Sequence, residues 1–500
     1  MTTSRSPDYL IGLIHELRKL PQETEWVEFK ESKADPKLIG EYISALANGA
    51  ALEGKAFAYL LWGVRDDDHA IVGTRFDPHA TKVGNEELEN WLLRLLEPKL
   101  NFRFFGVEVD GMRLVLLEIE CAQRQPARFE GVEYVRVGGV SKKLKGLAEK
   151  ERALWRVFDQ TPFEKCVARG HTTSDEVLSL LNYPSYFEMM KRPLPDYREG
   201  ILAALEEDAM IRKDDAGNWS ITNLSAVLLA KKLTDFGSLG RKTVRVVLYD
   251  GASRIKTIKE QVGAKGYAAG FEGLITFVNT LVPSNEIIGQ ALRKSVPMYP
   301  EVAVRELVAN AIIHQDFSIT GAGPMVEIFA DRIEITNPGE PLVPTDRFVD
   351  AQPRSRNETL ASVMRRMGIC EERGSGVDKV IWETEVFQLP APLFEVPVES
   401  TRVVLFAHRP LAKMDRCERL RACYQHACLR YVQRQPMTNS SLRERFGITR
   451  ENAAVASRLI RDALAESLIV LEDEAAAKRE RRYLPWWARG ARLPRSSDPA

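Results

Sequence analysis

Between Asp8 and Leu20 the apolar residues Leu10, Ile11, Leu13, Ile14 and Leu17 recur at the spacing of one helix face, and Pro21 ends the run. Glu25 to Lys30 alternates like a strand, Lys37 to Ala47 reads as an amphipathic helix, and Phe57 to Val64 is a continuous apolar run that stops at Asp66-Asp67-Asp68. A second helix is predicted over Asn85 to Leu96. Strands over Phe102 to Val109 and Met112 to Glu120 follow, joined by Asp110-Gly111, a pair that tolerates the positive φ of a two-residue hairpin turn. After a further strand at Tyr134 to Val137 come Gly138, Gly139 and the basic run Lys142, Lys143 and Lys145. The pattern predicts an α+β domain over 8–150.

Helical patterns dominate 151–240, broken by the turn-like Asp214-Asp215-Ala216-Gly217 between Ala209 to Lys213 and Trp219 to Thr222, as in a small winged-helix-like linker unit. Arg241 to Tyr249 is rich in β-formers and opens a second α+β region over 241–410. An arginine-rich helical stretch begins near Asp415. Ser441-Leu442-Arg443-Glu444 has capping-box spacing, Arg445 to Ile448 ends that helix in a turn, and Thr449 opens another that reaches Ala465. Strands at Leu468 to Leu471 and Arg481 to Leu484 complete the pattern of a winged helix-turn-helix over 415–487, and 488–500 reads as a loose tail. The fold class expected is therefore α+β and multidomain.

Composition narrows the function classes. The 500 residues are 44% hydrophobic and 28% charged, which excludes a disordered chain or a collagen, and at about 100–200 residues per domain they should form three or four cores. Lys+Arg 70 balances Asp+Glu 70, so a nucleic-acid partner would be met by a local basic patch, not by overall charge. Six cysteines are too few for a disulfide framework. Cys417, Cys423, His426 and Cys428 cluster without a Cys-x2-Cys spacing and read as helix-packing thiols, not a zinc site. Without a run of the roughly 20 apolar residues a membrane helix needs, a cytoplasmic location and no membrane partner are expected.

The phrase Glu23-Thr-Glu25-Trp-Val-Glu28-Phe29-Lys30, followed by Gly63-Val64-Arg65-Asp66, resembles the AlbA-like domain of the Schlafen family over about 21–143. By spacing alone each acid is an ordinary surface carboxylate; the resemblance is what joins them. It implies that Glu23, Glu28 and Asp66 hold Mg²⁺ or Mn²⁺ against a phosphate in nuclease members, since hard cations take oxygen ligands. Tyr134-Val135-Arg136-Val137-Gly138 and Ser141-Lys142-Lys143 match the family's closing strand, so Lys30, Arg136, Lys142 and Lys143 would form a phosphate-gripping rim. One departure is Ala47-Asn48-Gly49-Ala50-Ala51-Leu52-Glu53-Gly54, where the family has Asn-Thr-x-Gly-Gly. Other members bind nucleic acid without known cleavage, and both readings stand.

Steps of four put Glu306, Asn310 and His314 on one stripe of an amphipathic helix whose apolar face is Val304, Leu307, Val308, Ala311 and Ile312. Periodicity alone makes this a plain polar face. Taken in order, however, Val304-Arg305-Glu306-Leu307-Val308, Asp331 to Gly339, Arg356-Asn357 and Glu372-Arg373-Gly374-Ser375-Gly376-Val377 resemble the GHKL-type ATPase module over about 300–385. The resemblance implies ATP or ADP with Mg²⁺ on Asn310, Glu306 as the residue that orients or deprotonates water, and Asn337 and Gly339 near the purine. Gly374, Ser375 and Gly376 would offer backbone N–H groups to phosphates at a helix N-terminus. The family's usual Asp before glycines is Asn337-Pro338-Gly339 here, so a nucleotide sensor with at most weak hydrolysis is expected. No Walker Gly-x4-Gly-Lys-Ser/Thr phrase occurs, which argues against a helicase.

In the C-terminal winged helix, Arg450, Asn452, Ser457 and Arg461 would face DNA, with Lys478, Arg479, Arg481 and Arg482 on the wing; dimerisation is the alternative use. The function expected is an ATP-responsive, homo-oligomeric nucleic-acid-binding protein acting as a DNA-binding regulator. The alternative is a metal-dependent endonuclease acting on tRNA, other structured RNA or single-stranded DNA in anti-phage defence.

Overall fold

The computed structural model describes residues 6–20, 24–123, 125–160, 162–214, 217–288, 293–352, 354–370, 376–477 and 479–491. Among them no helix is long and apolar enough to cross a membrane. The structure is a mixed helix-and-strand chain with several small sheets. It divides into two compact units, one of residues 1–177 with 202–223, the other of 178–201 with 224–500.

In the first unit Val27–Lys30 runs parallel to Phe57–Trp62, with Glu28 opposite Leu60. Met112–Glu120 and Phe102–Val109 then extend the sheet antiparallel. The hairpin joining these two has φ of 52° at Asp110 and 73° at Gly111, the conformation that such pairs adopt most cheaply. The helix Pro36–Leu52 crosses between the parallel strands and continues past its expected end at Ala47. It can do so because Asn48 is buried and bonded, not exposed in a turn. Its amide donates to the carbonyls of Ala127 (2.9 Å) and Tyr134 (2.7 Å), and its Oδ1 accepts from Ala127 N at 2.7 Å. Gly49 follows because a Cβ there would stand 2.0 Å from the Glu25 carbonyl oxygen. A second sheet, Val140–Lys143, Val132–Val137, Arg128–Phe129 and Leu96–Glu97, packs on the same helix. The amphipathic helix Pro7–Arg18 buries Leu10, Leu13, Ile14 and Leu17 in this core.

The second unit is organised by a six-stranded sheet in the order Thr257–Val262, Arg245–Tyr249, Met325–Ile328, Arg332–Pro338, Ser400–Phe406, Leu393–Glu395. The helix Glu301–Ile313 packs against the Arg332–Pro338 strand and the helices Tyr267–Leu281 and Gly376–Val386. Buried side chains satisfy the carbonyls at its C-terminal end. Asn357 donates to the carbonyls of Ile313 and Gln315 at 2.7 and 2.9 Å, and Gln315 donates to the Ile312 carbonyl and the Tyr267 hydroxyl.

Beyond the sheet, Arg416–Val432, Asn439–Phe446 and Ala453–Ala465 enclose a small core with the antiparallel pair Ile469–Leu471 and Tyr483–Pro485. Two local expectations are corrected. The capping box belongs to Thr438 with Ser441 as its third residue, not to Ser441 with Glu444. The final helix starts at Ala453 after a 3-10 turn at Arg450–Asn452, not at Thr449. Cys423 and Cys428 are wholly buried, and burial pushes both thiols up to about 12.

Candidate functional site

Helical spacing alone cannot say what the Glu306–Asn310 stripe faces. In the structure it faces a cavity of about 580 Å³ whose lining includes Glu306, Asn310, Asn337 and Gly376, four residues from three separated stretches of sequence. The apolar part of the lining includes Ile335, Leu342, Val343, Phe348, Phe394 and Val403; the polar part includes Arg354, Glu358 and Arg365. A mostly apolar pocket with a few convergent polar groups is the usual form of a small-molecule site, and this volume suits a nucleotide. Gly376 begins the helix Gly376–Val386 at the floor of the pocket. A Cβ on it would approach Glu306 Oε2 to 3.0 Å and Asn310 Nδ2 to 3.4 Å, so glycine keeps this helix start close to both side chains. Burial, reinforced by Glu306, pushes the nearby Cys370 thiol up to about 11. Burial holds His314 below the ordinary imidazole value, and Arg356 adds to this.

Asn337 is buried and its amide donates to the Pro338 carbonyl at 3.0 Å. Gly339, with φ of +100°, packs against Asp316, where a Cβ would lie 2.8 Å from that side chain; its N–H donates to the Glu399 carbonyl at 2.8 Å. It shapes the turn beside the pocket and is not in the lining described. Gly374 and Ser375 lie outside the described residues. Sequence reasoning missed Phe348, Arg354 and Arg365, the first two on an irregular segment without periodicity.

The acidic constellation is built differently. Glu28 is 2% exposed, and Arg136, itself 0% exposed, pairs with it. Lys30 Nζ stands 2.6 Å from Glu28 and 3.1 Å from Asp66, bridging the two carboxylates. Glu28 and Asp66 therefore do converge, but two cationic side chains occupy the space between and behind them. That arrangement does not fit a divalent cation, which needs oxygen ligands with uncompensated charge. Arg136 also departs from expectation: it is interior, not on a phosphate-facing rim. Lys142 and Lys143 are exposed on the adjoining strand, and Glu23 lies outside the described residues.

With the geometry in view, residues 23–145 match the family model "Schlafen, AlbA_2", and residues 321–405 match the model described as "Putative ATP-dependent DNA helicase recG C-terminal". The chain joins an AlbA-type domain to a GHKL-like ATPase-type domain. These domain types associate it with nucleic acid and with ATP. The second match begins after Glu306 and Asn310, yet the cavity unites that helix with the matched strand and helix. No curated protein matches the chain. A crystal structure of the DIP2311 protein from Corynebacterium diphtheriae aligns over 96% of this chain and 97% of its own, at 18% identity and a TM-score of 0.41.

Behind the GHKL-like domain, the helix Ala453–Ala465 buries Ala456, Leu459, Ile460 and Ala463 and turns Ala454, Ser457, Arg458 and Arg461 outward. Arg458 was not singled out from the sequence, although it shares the outward stripe. Arg450 and Arg461 are exposed. Arg482 lies 3.3 Å from Glu472, Arg481 is half-buried beside it, and Lys478 is outside the described residues. In the AlbA-type unit, His171 is held between Glu118 and Asp214, each at 3.0 Å, with the Tyr9 hydroxyl on the same nitrogen as Asp214. These three partners come from three segments distant from His171 and from one another, so no local motif announces the cluster.

Proposed function

We propose that this chain is a nucleotide-responsive nucleic-acid-binding protein, a DNA-binding regulator whose state is set by ATP or ADP in the GHKL-like domain. The observation that carries this reading is the cavity that Glu306, Asn310, Asn337 and Gly376 share. Asn310 would hold the Mg²⁺ of a Mg²⁺–nucleotide through its amide oxygen, a hard donor such an ion takes alongside phosphates, and Glu306 would orient or deprotonate a water beside it. Bound there, the ion supplies charge neutralisation on the phosphates. The first turn of the Gly376 helix presents N–H groups to anionic oxygen, and the apolar wall accepts a flat base. Nucleic acid would be met by Lys142 and Lys143 on the AlbA-type domain, and by Arg450, Arg458, Arg461 and Arg482 on a C-terminal winged helix. The caged state of Glu28 supports binding without cleavage over the nuclease alternative.

The direct test is a thermal melt with and without 1 mM Mg-ATP. A ligand that binds only the folded state raises the melting temperature, and Asn310→Ala should remove that rise. An unchanged wild-type melt would overturn the nucleotide reading. Divalent-metal-dependent cut products from a tRNA and DNA panel, lost in Glu28→Gln, would restore the nuclease reading.

A further inference from the structure

Two walls of the nucleotide cavity are also the surfaces on which the C-terminal three-helix segment rests. The first is the Gly376–Val386 helix, 11 residues and so about 16 Å long. It starts against Glu306 and Asn310 and carries Glu385 in its last turn. The Glu385 carboxylate accepts from His426 Nδ1 at 3.0 Å and pairs with Arg445 Nε at 3.3 Å. Arg445, nearly all buried, also donates to the Leu389 carbonyl just beyond the helix at 2.6 Å. His426 Nε2 is 3.1 Å from Ser441 Oγ, the hydroxyl that completes the capping box of Asn439–Phe446.

The second wall is the segment carrying Phe348 and Ala351, which line the cavity. Its Asp346 carbonyl accepts from the Tyr424 hydroxyl at 2.6 Å, and that hydroxyl accepts in turn from Trp487 Nε1 at 3.1 Å. The Arg347 guanidinium lies 4.8 Å from the centre of the Trp487 ring. Tyr424, Gln425 and His426 are consecutive and buried, and Gln425 donates to the Pro392 carbonyl at 2.8 Å. The Arg416–Val432 helix thus has two buried faces: an apolar one on its own small core and a polar one on the pocket walls.

Resting on the nucleotide reading above, we infer that nucleotide occupancy and the docking of the C-terminal segment are energetically coupled through these two walls, with Glu385 and Tyr424 as positioning residues. Neither residue lines the cavity. A ligand that draws the Gly376 helix start and the Phe348 segment together tightens the surface that Glu385, Leu389 and Asp346 offer to His426, Arg445 and Tyr424. Coupling is reciprocal: the factor by which bound nucleotide favours docking is the factor by which the docked segment favours nucleotide, so undocking lowers nucleotide affinity by up to that factor.

The test uses the full chain and two measurements. Hydrogen–deuterium exchange of the wild type with and without Mg-ATP should show slower exchange in residues 416–432 and 439–446, which touch no nucleotide. Calorimetric titration should show Mg-ATP affinity falling about five-fold or more in Tyr424→Phe and Glu385→Gln. Arg416→Ala, which breaks an exposed pair with Glu466 on the same segment, should leave affinity unchanged. Tyr424→Phe loses one hydroxyl and keeps the ring, so it guards against a Glu385 variant that fails to fold. Mg-ATP that binds the wild type without slowing exchange in either helix overturns the coupling alone. So does unaltered affinity in a folded Tyr424→Phe. Failure of Mg-ATP to bind the wild type overturns both the nucleotide reading and this inference.

Discussion

The AlbA-type unit and the GHKL-like unit each bury an acid that the sequence singles out, Glu28 in one and Glu306 in the other, and they surround it in opposite ways. Around Glu28 the carboxylate is sealed from solvent and neutralised by Arg136 and Lys30, leaving no room or charge for a ligand. Around Glu306 the carboxylate borders about 580 Å³ of open space, with an amide and a helix start beside it. The difference lies in what stands beside the carboxylate. A buried carboxylate is stable only when paired, and the Arg136 and Lys30 pairs with Glu28 are structural parts. A carboxylate that borders a cavity has space beside it into which a ligand can come. Convergence of acids is thus weak evidence for a metal site until the nearest cations have been located.

The comparison breaks most sharply at Arg136. Removing one partner of a buried ion pair leaves an uncompensated charge, so Arg136→Met should cost about 3–5 kcal/mol in urea unfolding of the AlbA-type unit. The double variant Glu28→Gln/Arg136→Met should recover most of that loss. A near-neutral Arg136→Met would show that the cage is not structural and would reopen Glu28 as a ligand. On the other side, Gly376→Leu should lower Mg-ATP affinity at least ten-fold, about 1.4 kcal/mol, because the added side chain enters the space beside Glu306 and Asn310. Calorimetric titration checks it, and unaltered affinity would place the nucleotide elsewhere.

Much of this contrast was legible in the sequence, for local reasons. The strands Phe102–Val109 and Met112–Glu120 were readable to the residue because Asp110-Gly111 dictates its turn. Glu306, Asn310, Asn337 and Gly376 were readable because each sits in a local phrase. What was not legible depends on long-range pairing. Nothing near Arg136 says that it turns inward to Glu28, and an arginine on a half-polar strand reads as exposed. The same holds for Tyr424-Gln425-His426, which lie in a stretch read only as arginine-rich and helical and are buried on the pocket walls. The expected helix end at Ala47 fell short for the same reason: nothing local shows that Asn48 is buried against Ala127 and Tyr134.

If the Glu28 cage does not cleave, nucleic-acid affinity has to come from exposed cations. Arg458→Ala and Arg461→Ala remove charges from one outward stripe of the Ala453–Ala465 helix. Each should weaken duplex DNA binding by about 1 kcal/mol and flatten the dependence of log affinity on log salt by about one. Gel shifts at two salt concentrations read both. If both variants keep wild-type affinity, the Lys142 and Lys143 strand is the DNA-binding surface instead.

The smallest effect tests the open site's own electrostatics. Asp378, two residues into the Gly376 helix, is half-buried, and its Oδ1 has no hydrogen-bond partner among the described residues. Burial first, and Asp350 second, push its carboxyl from 3.8 up to about 6. Where Glu28 has two cations, this carboxylate has no cationic partner among the described residues. Because the folded-state value is raised, the folded chain holds the proton more tightly than the unfolded chain does. Its contribution to stability is therefore complete below about pH 3.8 and is lost as pH rises to about 6. Above that, the folded state carries the cost of a half-buried charge, discounted because solvent still screens it. Asp378→Asn should raise the melting temperature by about 1–3 °C at pH 8 and leave it unchanged at pH 4, on a scale where 1 kcal/mol moves a domain of this size by about 2–4 °C. A rise of equal size at both pH values would assign the gain to packing, and no rise at pH 8 would mean that the charge is already compensated, as it is at Glu28.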